Sequence, residues 1–494
     1  MIDFSKPPVT RLTLLLLALG GLAAGCLLFT PFAGFWVSLV AYVPFFLILM
    51  SEMTRGKWFL SLAVYGFFFF LPNIYWIYRF TVLGIFLVIL YLILAVALLR
   101  PAARLLRRVP GGLFLLPGIW ALIEWGKGTG SLGYPWNEPG NAAVTFLPAA
   151  SAAQWGGVHL LTLVILLINF LAAKALLERK KGYVKAAAAL LFLLLASHFA
   201  ASGPDTRGKR VNVALIQPSI DLYAKWDEAF IMNNMTIYKE LASRVSGHAD
   251  LVIWPETAFS SGILWYEPEK ETLVEIIKSQ KGTSAHLVGS THYDRNGVYN
   301  SLFLVDHMGH YNRYDKIQLL PVAEFLPFPK LTSFLMDLYP IQYTLTRGER
   351  TEPFELGDLR FSGVICFESI FSGFVNTLMR QGSEFLVVST NDGWFQGTPA
   401  PRHHLQMTRL RAIEQQTWVA QCANSGISAI IDNTGRVVRE TEMEQRTVLE
   451  GSLYPRRQPS FYARHGQLLF LLLLGLSFLP PLYLFLRRKR APLE

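Results

Sequence analysis

A chain of 494 residues that is 52% hydrophobic and 16% charged, with a mean hydropathy of +0.34, is too apolar for an ordinary soluble protein. The formal charge of +10 suggests nucleic acid until it is located: residues 203–465 carry 26 Lys and Arg against 29 Asp and Glu, and the remainder 19 against 6. The basic excess therefore sits beside apolar segments, where it sets membrane orientation, and a nucleic-acid partner is not implied.

A span needs about 20 mostly apolar residues. In chain order, segments near 11–29, 33–50, 58–78, 80–100, 113–127, 153–177, 184–201 and 467–486 fit, the fifth being short. The first imitates a secretion signal, and "LAAGC" (22–26) imitates a lipoprotein cleavage box. A second apolar segment follows almost at once, with no polar mature N-terminus between, so Cys26 reads as a span residue. Seventeen basic residues fall on alternate loops and both ends: Lys6, Arg11, Arg55, Lys57, Arg100, Arg104, Arg107, Arg108, Lys174, Arg179, Lys180, Lys181, Lys185 and the "RRKR" at 487–490. The opposite short loops hold only Arg79 and Lys127. Positive-inside predicts a multi-pass protein with eight spans, both termini cytoplasmic and residues 203–465 outside. The spans read as lacking paired ionisable residues, since Glu52 and Glu124 lie near segment ends.

This gives a bundle of about seven helices over 1–202, one domain over 203–465, and a final span with a basic tail over 466–494. The middle region repeats short β-rich runs ended by polar turns: "VNVALIQPS", "ADLVIWPET", "AHLVGSTHY", "YNSLFLVD", "FSGVICFES", "EFLVVSTND" and "ISAIIDNTG". Helix-like stretches at 226–247, 267–280 and 403–418 separate some of them. Apolar strands interleaved with helices predict an α/β domain, a sheet covered by helices.

Three runs deliver an ionisable residue at a strand end, where open α/β sheets place catalytic groups: Glu256 after "LVIWP", Lys316 in "YNRYDKIQLLP", and Cys366 in "SGVICFESIF". A thiol is the strongest neutral-pH nucleophile in the chain. A buried carboxylate can take its proton, and an ammonium stabilises both thiolate and oxyanion. The set suits acyl transfer through a thioester. Singly, each residue also fits a plainer role: Glu256 a helix N-cap region carboxylate, Lys316 a surface lysine, Cys366 a core residue. A Cys366–Cys422 disulfide is open too, as both cysteines lie in the outer region.

Read together, "WPET", "YDKIQLLPVAEFLPF" and "GVICFES", spaced by 60 and 50 residues, resemble the signature segments of the nitrilase (carbon–nitrogen hydrolase) superfamily. Such a domain beside a bundle of spans resembles the bacterial apolipoprotein N-acyltransferases. Also similar are "LLFTPF", "IEW…GYPWNEPG" (123–140), "LINFLAA", "ALIQPSIDLYAKWD", "STNDGWF", "HHLQMTRLRAIE" and "NSGISAIID". The resemblance implies an α-β-β-α sandwich, with Glu256 as general base, Lys316 as oxyanion stabiliser and Cys366 as nucleophile. It also implies Glu324 and Glu368 as orienting carboxylates, and Trp226 and Phe367 as substrate-binding residues. Phe367 stands where the family usually has tyrosine, "PVAEFLP" replaces "PFGEFVP", and "QPS" replaces "QGN".

No cofactor is implied. His403 and His404 are adjacent, so on a helix they point about 100° apart and do not chelate together; a metal is not expected. The resemblance implies a phospholipid acyl donor, a diacylglyceryl-cysteine apolipoprotein acceptor and the bacterial inner membrane, with the domain on its outer face. A site near the bilayer gains proximity to lipid-anchored substrates. Trp265/Tyr266 and Trp394/Phe395 are either a lipid-touching lid or core packing. A membrane-tethered amidase or hydrolase, and a noncatalytic lipoprotein-binding module, stay as alternatives.

Overall fold

The computed structural model describes residues 9–79, 81–280, 284–328, 344–479, 481 and 483. These form two compact units, one from residues of 1–128, 134–201 and 465–494, the other from 129–133 and 202–464.

In the first unit four helices are long and apolar enough to cross a membrane: Arg55–Arg79, Val82–Leu106, Ala153–Glu178 and Lys181–Ala200. Shorter apolar helices run over Arg11–Leu27, Gly34–Leu49 and Leu468–Ser477. Residues 34–49 break into Gly34–Ser38 and Val43–Leu49, with a proline in the first turn of the second piece. The segment expected at 113–127 is α-helical only over Leu116–Lys127. Among the described residues four helices reach full spanning length, and the eighth expected segment, 467–486, lies in part outside them. Hydropathy sees composition and not the turns that interrupt a helix. Lys6, Phe80, most of the chain from 480 on and the run at 487–490 lie outside the described residues.

The "LAAGC" stretch serves helix packing. A Cβ on Gly25 would sit 2.4 Å from the Phe69 carbonyl oxygen, so its absence lets helix Arg11–Leu27 approach Arg55–Ile74 at backbone distance. Contrary to the sequence reading, this unit buries paired ionisable groups. Lys127 Nζ donates to Glu124 at 2.7 Å, and His159 Nδ1 lies 2.6 Å from Glu138 Oε1. Trp120 and Thr162 donate to the same two carboxylates. Glu124 and Lys127 pair within one turn of helix, while Glu138 comes from the "PWNEPG" loop, whose return to His159 no local pattern reveals.

The second unit holds, among the described residues, two six-stranded sheets. Its strands are β1 (Val211–Gln217), β2 (Leu251–Ile253), β3 (Ala285–Asp294), β4 (Gly297–Val305), β5 (Tyr311–Asp315), β6 (Phe354–Leu356), β7 (Leu359–Ile365), β8 (Phe385–Thr390), β9 (Val419–Ala423), β10 (Ala429–Ile431), β11 (Val437–Glu440) and β12 (Thr447–Leu453). One sheet is ordered β12-β1-β2-β3-β4-β5, the other β11-β10-β9-β8-β7-β6. β1, β2 and β3 run parallel, as do β7, β8 and β9.

The strands are apolar on both faces because both faces are covered. Leu215, Ile253, Leu287, Phe361, Phe385 and Val387 share one buried cluster between the sheets. Their neighbours Ala214, Ile216, Val252 and Val288 pack instead with Tyr238, Leu241, Leu273 and Ile276 of helices Ile231–Ser243 and Glu267–Ser279. On the other side Val364, Leu386 and Val388 meet helices Ser372–Met379 and Ala400–Gln415. The layers are α-β-β-α. The helix expected at 226–247 runs only over Ile231–Ser243, because Asp227 turns the chain after the short helix Leu222–Trp226 and caps a 3-10 turn at Glu228–Phe230.

Gly289 of β3 lies directly under the turn that carries Glu256. A Cβ there would stand 2.2 Å from Pro255 O and 2.9 Å from Glu256 Cα. Gly289→Ala is therefore expected to cost about 1–3 kcal/mol by overpacking and to displace Glu256. The thermal unfolding temperature should fall; a wild-type value in that variant would show that the turn tolerates the shift.

Candidate active site

Each of the three strand-end residues is set by its strand and a turn that stops it. Pro255, which lacks an N–H, ends β2 and places Glu256 beyond it. Lys316 follows β5 directly, and its N–H still donates to Asn300 O of β4 at 2.8 Å. Cys366 follows β7 and opens a 3-10 turn over Cys366–Ile370. Left-handed non-glycine backbone marks all three places: Thr257 at φ 47°, Val322 at φ 69° between Lys316 and Glu324, and Cys366 itself at φ 50°. Such conformations cost about 1–3 kcal/mol each and persist only where surrounding contacts fix them.

Those contacts are specific. Lys316 Nζ, buried, donates to Glu324 Oε1 at 2.6 Å and to Glu256 Oε1 at 3.3 Å. Asn300 Nδ2 donates to Glu256 Oε1 at 2.7 Å, and the Asn391 N–H to Oε2 at 2.8 Å. Glu324 Oε2 accepts from Leu320 N at 2.8 Å. Burial opposes the charge on Glu256, but Lys316, Asn300 and Lys225 outweigh it and hold the carboxyl below its usual range. Burial likewise opposes the Lys316 ammonium, and Glu324 and Glu256 reverse the sign, raising its pKa. Cys366 is a free, partly exposed cysteine. Burial and then the Glu256 charge push its thiol well above the ordinary value, with Lys316 pulling the other way. The surroundings thus favour the neutral form of the Cys366 thiol and the ionised form of the Glu256 carboxyl.

Glu368 is wholly buried. Its oxygens accept from Ile317 N (2.7 Å), Gln318 N (2.9 Å), Ile365 N (2.8 Å) and the Tyr314 hydroxyl (2.8 Å). One carboxylate therefore ties the backbone after Lys316 to the strand end before Cys366. Burial pushes its pKa up to about 7, while the Gln318 and Ile365 N–H groups and the Lys316 charge favour ionisation.

Phe367 is buried, edge-on to Phe371 at 5.0 Å. Trp226 stands 43% exposed at the end of its short helix. Trp265 and Trp394 are exposed at 63% and 38%, whereas Phe395 is buried, which removes it from the exposed aromatics. Cys422 lies in the core between the sheets, its thiol donating to Ile216 O and Ile253 O. All three cysteines are free, so the Cys366–Cys422 disulfide left open by the sequence is not formed.

Several site residues escaped the sequence reading. Asn300 and Asn391 fix Glu256. His404 links Asp392 Oδ1 (Nδ1, 3.0 Å) to Ser369 Oγ (Nε2, 2.7 Å) and reaches the Cys366 carbonyl at 3.2 Å. His404, Asp392 and Ser369 are buried, so this chain of contacts braces the Cys366 turn. Lys225 Nζ donates to the Glu256 carbonyl at 2.6 Å. Its only sequence signal is its place beside Trp226.

Known proteins fit both units. The carbon–nitrogen hydrolase family matches residues 212–456, and the apolipoprotein N-acyltransferase N-terminal domain matches 20–171. An apolipoprotein N-acyltransferase of Geobacter metallireducens is 32% identical over 369 residues, 72% of this chain and 70% of that protein. One from Rhodopseudomonas palustris is 30% identical over 476 residues, 88% and 86%. The chain belongs to the apolipoprotein N-acyltransferase family. A solved carbon–nitrogen hydrolase superfamily protein from Xanthomonas campestris aligns with 50% of this chain and 91% of its own, at 20% identity and a TM-score of 0.38.

Within this acyltransferase fold Glu368 has a distinct, testable job. Glu368→Ala orphans two buried N–H groups, those of Ile317 and Ile365, and a partly buried one, that of Gln318, and is expected to cost at least about 3 kcal/mol. Tyr314→Phe, which removes one donor and leaves the carboxylate its others, should cost about 1 kcal/mol. Thermal unfolding of the purified protein ranks the two; equal losses would show that the tie carries no more than one hydrogen bond's worth.

Proposed function

We propose that this chain transfers a fatty acyl group from a phospholipid to the N-terminal amine of a diacylglyceryl-cysteine lipoprotein, through a thioester on Cys366. The observation that supports it most is the buried Lys316 held between Glu256 and Glu324 within electrostatic reach of Cys366. The relatives' shared name, apolipoprotein N-acyltransferase, supplies the reaction class.

In the first half-reaction Glu256 takes the thiol proton as Cys366 sulfur attacks the donor ester carbonyl. Of the three N–H donors of Lys316, two face Glu256 and Glu324 among the described contacts; the third stabilises the tetrahedral oxyanion. The oxyanion collapses, the ester C–O bond breaks, and Glu256 returns the proton to the departing lysophospholipid oxygen. In the second half-reaction the lipoprotein amine attacks the thioester and gives a proton to Glu256, the C–S bond breaks as the amide forms, and Glu256 returns that proton to the departing Cys366 sulfur. Glu324 and Glu368 orient the set, and Trp226 and Phe367 border the substrate path. No cofactor enters either step.

The same reading assigns residues 203–465 the chemistry, and 1–202 with 466–494 the anchoring, as eight passes of a bacterial inner membrane. Both termini lie in the cytoplasm, and the catalytic domain lies on the outer face. The charge asymmetry of the loops supports this orientation. Labelling of single cysteines placed in 203–465 by a membrane-impermeant reagent on intact cells is the check, and protection there reverses the topology.

Kinetics separate transfer from hydrolysis. Lysophospholipid should appear in a burst of about one per enzyme without acceptor, as expected when a covalent intermediate accumulates. Cys366→Ser and Cys366→Ala should abolish it, and Cys422→Ser should leave most of it. With acceptor, the second half-reaction should speed up as pH rises toward about 8, where a free α-amino group loses its proton. Strict dependence of lysophospholipid release on acceptor, or free fatty acid as the main product, contradicts the proposal.

A further inference from the structure

Lys225 is a second buried ammonium at this site, and the reaction just described makes no use of it. It lies in the helix Leu222–Trp226, is 2% exposed, and its Nζ hydrogen-bonds the Glu256 carbonyl at 2.6 Å. Its charge acts on the Glu256 carboxylate from the loop after β2 and on Cys366 from the turn after β7. On its own segment, Asp221 and Asp227 are taken up as caps, accepting from Tyr223, Ala224 and Ala229 N–H groups.

The charges explain why a cation stands there. Glu256 and Glu324 are two carboxylates facing the single ammonium of Lys316, which donates to both. Without Lys225 these three groups already carry one net negative charge before the thiol reacts, and Asp392 and Glu368 face the same site from the turns after β8 and β7. Ionising Cys366, or forming an oxyanion on its acyl adduct, would then add a second negative charge among buried groups. Like charges that close disfavour ionisation strongly. A backbone carbonyl needs only a neutral donor, and burying an ammonium costs several kcal/mol more than burying an amide. The placement of a full charge is therefore the feature to explain.

We propose that Lys225 is a charge-balancing, positioning residue of this active site, holding the Glu256 turn by its carbonyl and offsetting the negative charge that develops at Cys366. The proposal rests on the reading of Cys366 as nucleophile. Burial pushes the Lys225 ammonium down to about 8, with Glu256 and Cys366 opposing. The cation is thus present below that pH and lost above it.

The test is the pH profile of Cys366 alkylation by iodoacetamide in the full-length membrane-reconstituted protein, read at the Cys366 peptide by mass spectrometry so that Cys26 and Cys422 do not interfere. Lys225→Met and Lys225→Gln should slow the reaction roughly tenfold below about pH 8, where the wild-type cation is present, and the difference should fade above it. Lys225→Arg, which keeps the cation, should restore most of the rate. Should Lys225→Met fail to accumulate, the Gln and Arg variants decide alone. A wild-type profile in Lys225→Gln, or rescue by Gln equal to rescue by Arg, overturns the proposal and leaves only a carbonyl hydrogen bond. Failure of the nucleophile reading looks different: the wild-type protein itself then gives no acceptor-free lysophospholipid.

Discussion

A buried lysine shared by two carboxylates is the interaction on which this site depends. Lys316 sits among apolar strands where an isolated ammonium would be several kcal/mol unstable. Its contacts with Glu324 and Glu256 make it tolerable there. The bargain works in both directions, because the same contacts keep Glu256 ionised in a place that would otherwise protonate it. An ionised, desolvated carboxylate beside a neutral thiol is what general-base attack requires. The left-handed turns at Thr257, Val322 and Cys366 are the backbone consequence of bringing these groups to one place.

The α-β-β-α layering supplies the rigidity that such a cluster needs. Glu256 comes from one sheet and Cys366 from the other, and the two are joined by few but strong ties. The Asn391 N–H after β8 donates to Glu256, Ser389 Oγ donates to Trp254 O, and Glu368 fastens the Cys366 turn to the backbone beyond Lys316. Each tie crosses the space between sheets at the strand ends, while Leu215, Ile253, Phe361 and Phe385 fill it farther in. Apolar packing sets the distance between sheets, and hydrogen bonds set the orientation of the reacting groups.

That Glu256 and Lys316 stand at strand ends was legible from local pattern, Glu256 after the apolar "LVIWP" and Lys316 after the polar "YNRYD", and the fold brings the two together. Asn300 and Asn391 were not legible, since they reach Glu256 from 44 and 135 residues away and their neighbours in sequence say only "strand" and "turn". His404 was read as one of two adjacent histidines of no consequence, and only folding shows it under the Cys366 carbonyl. In the first unit, hydropathy found the apolar segments but not the break between Gly34–Ser38 and Val43–Leu49, nor the Glu138–His159 pair. Composition reports what a segment can bury, whereas pairing across a bundle is a property of the whole fold.

The central claim is that Cys366 carries the acyl group. Intact-protein and peptide mass spectrometry after incubation with a phospholipid of defined acyl chain, in the absence of any acceptor, tests it most directly. The account predicts a mass increase of one acyl group on the peptide containing Cys366, sensitive to hydroxylamine and discharged by an acceptor lipopeptide. An unmodified Cys366 in an enzyme that nevertheless turns over, or an adduct on another residue, would contradict it.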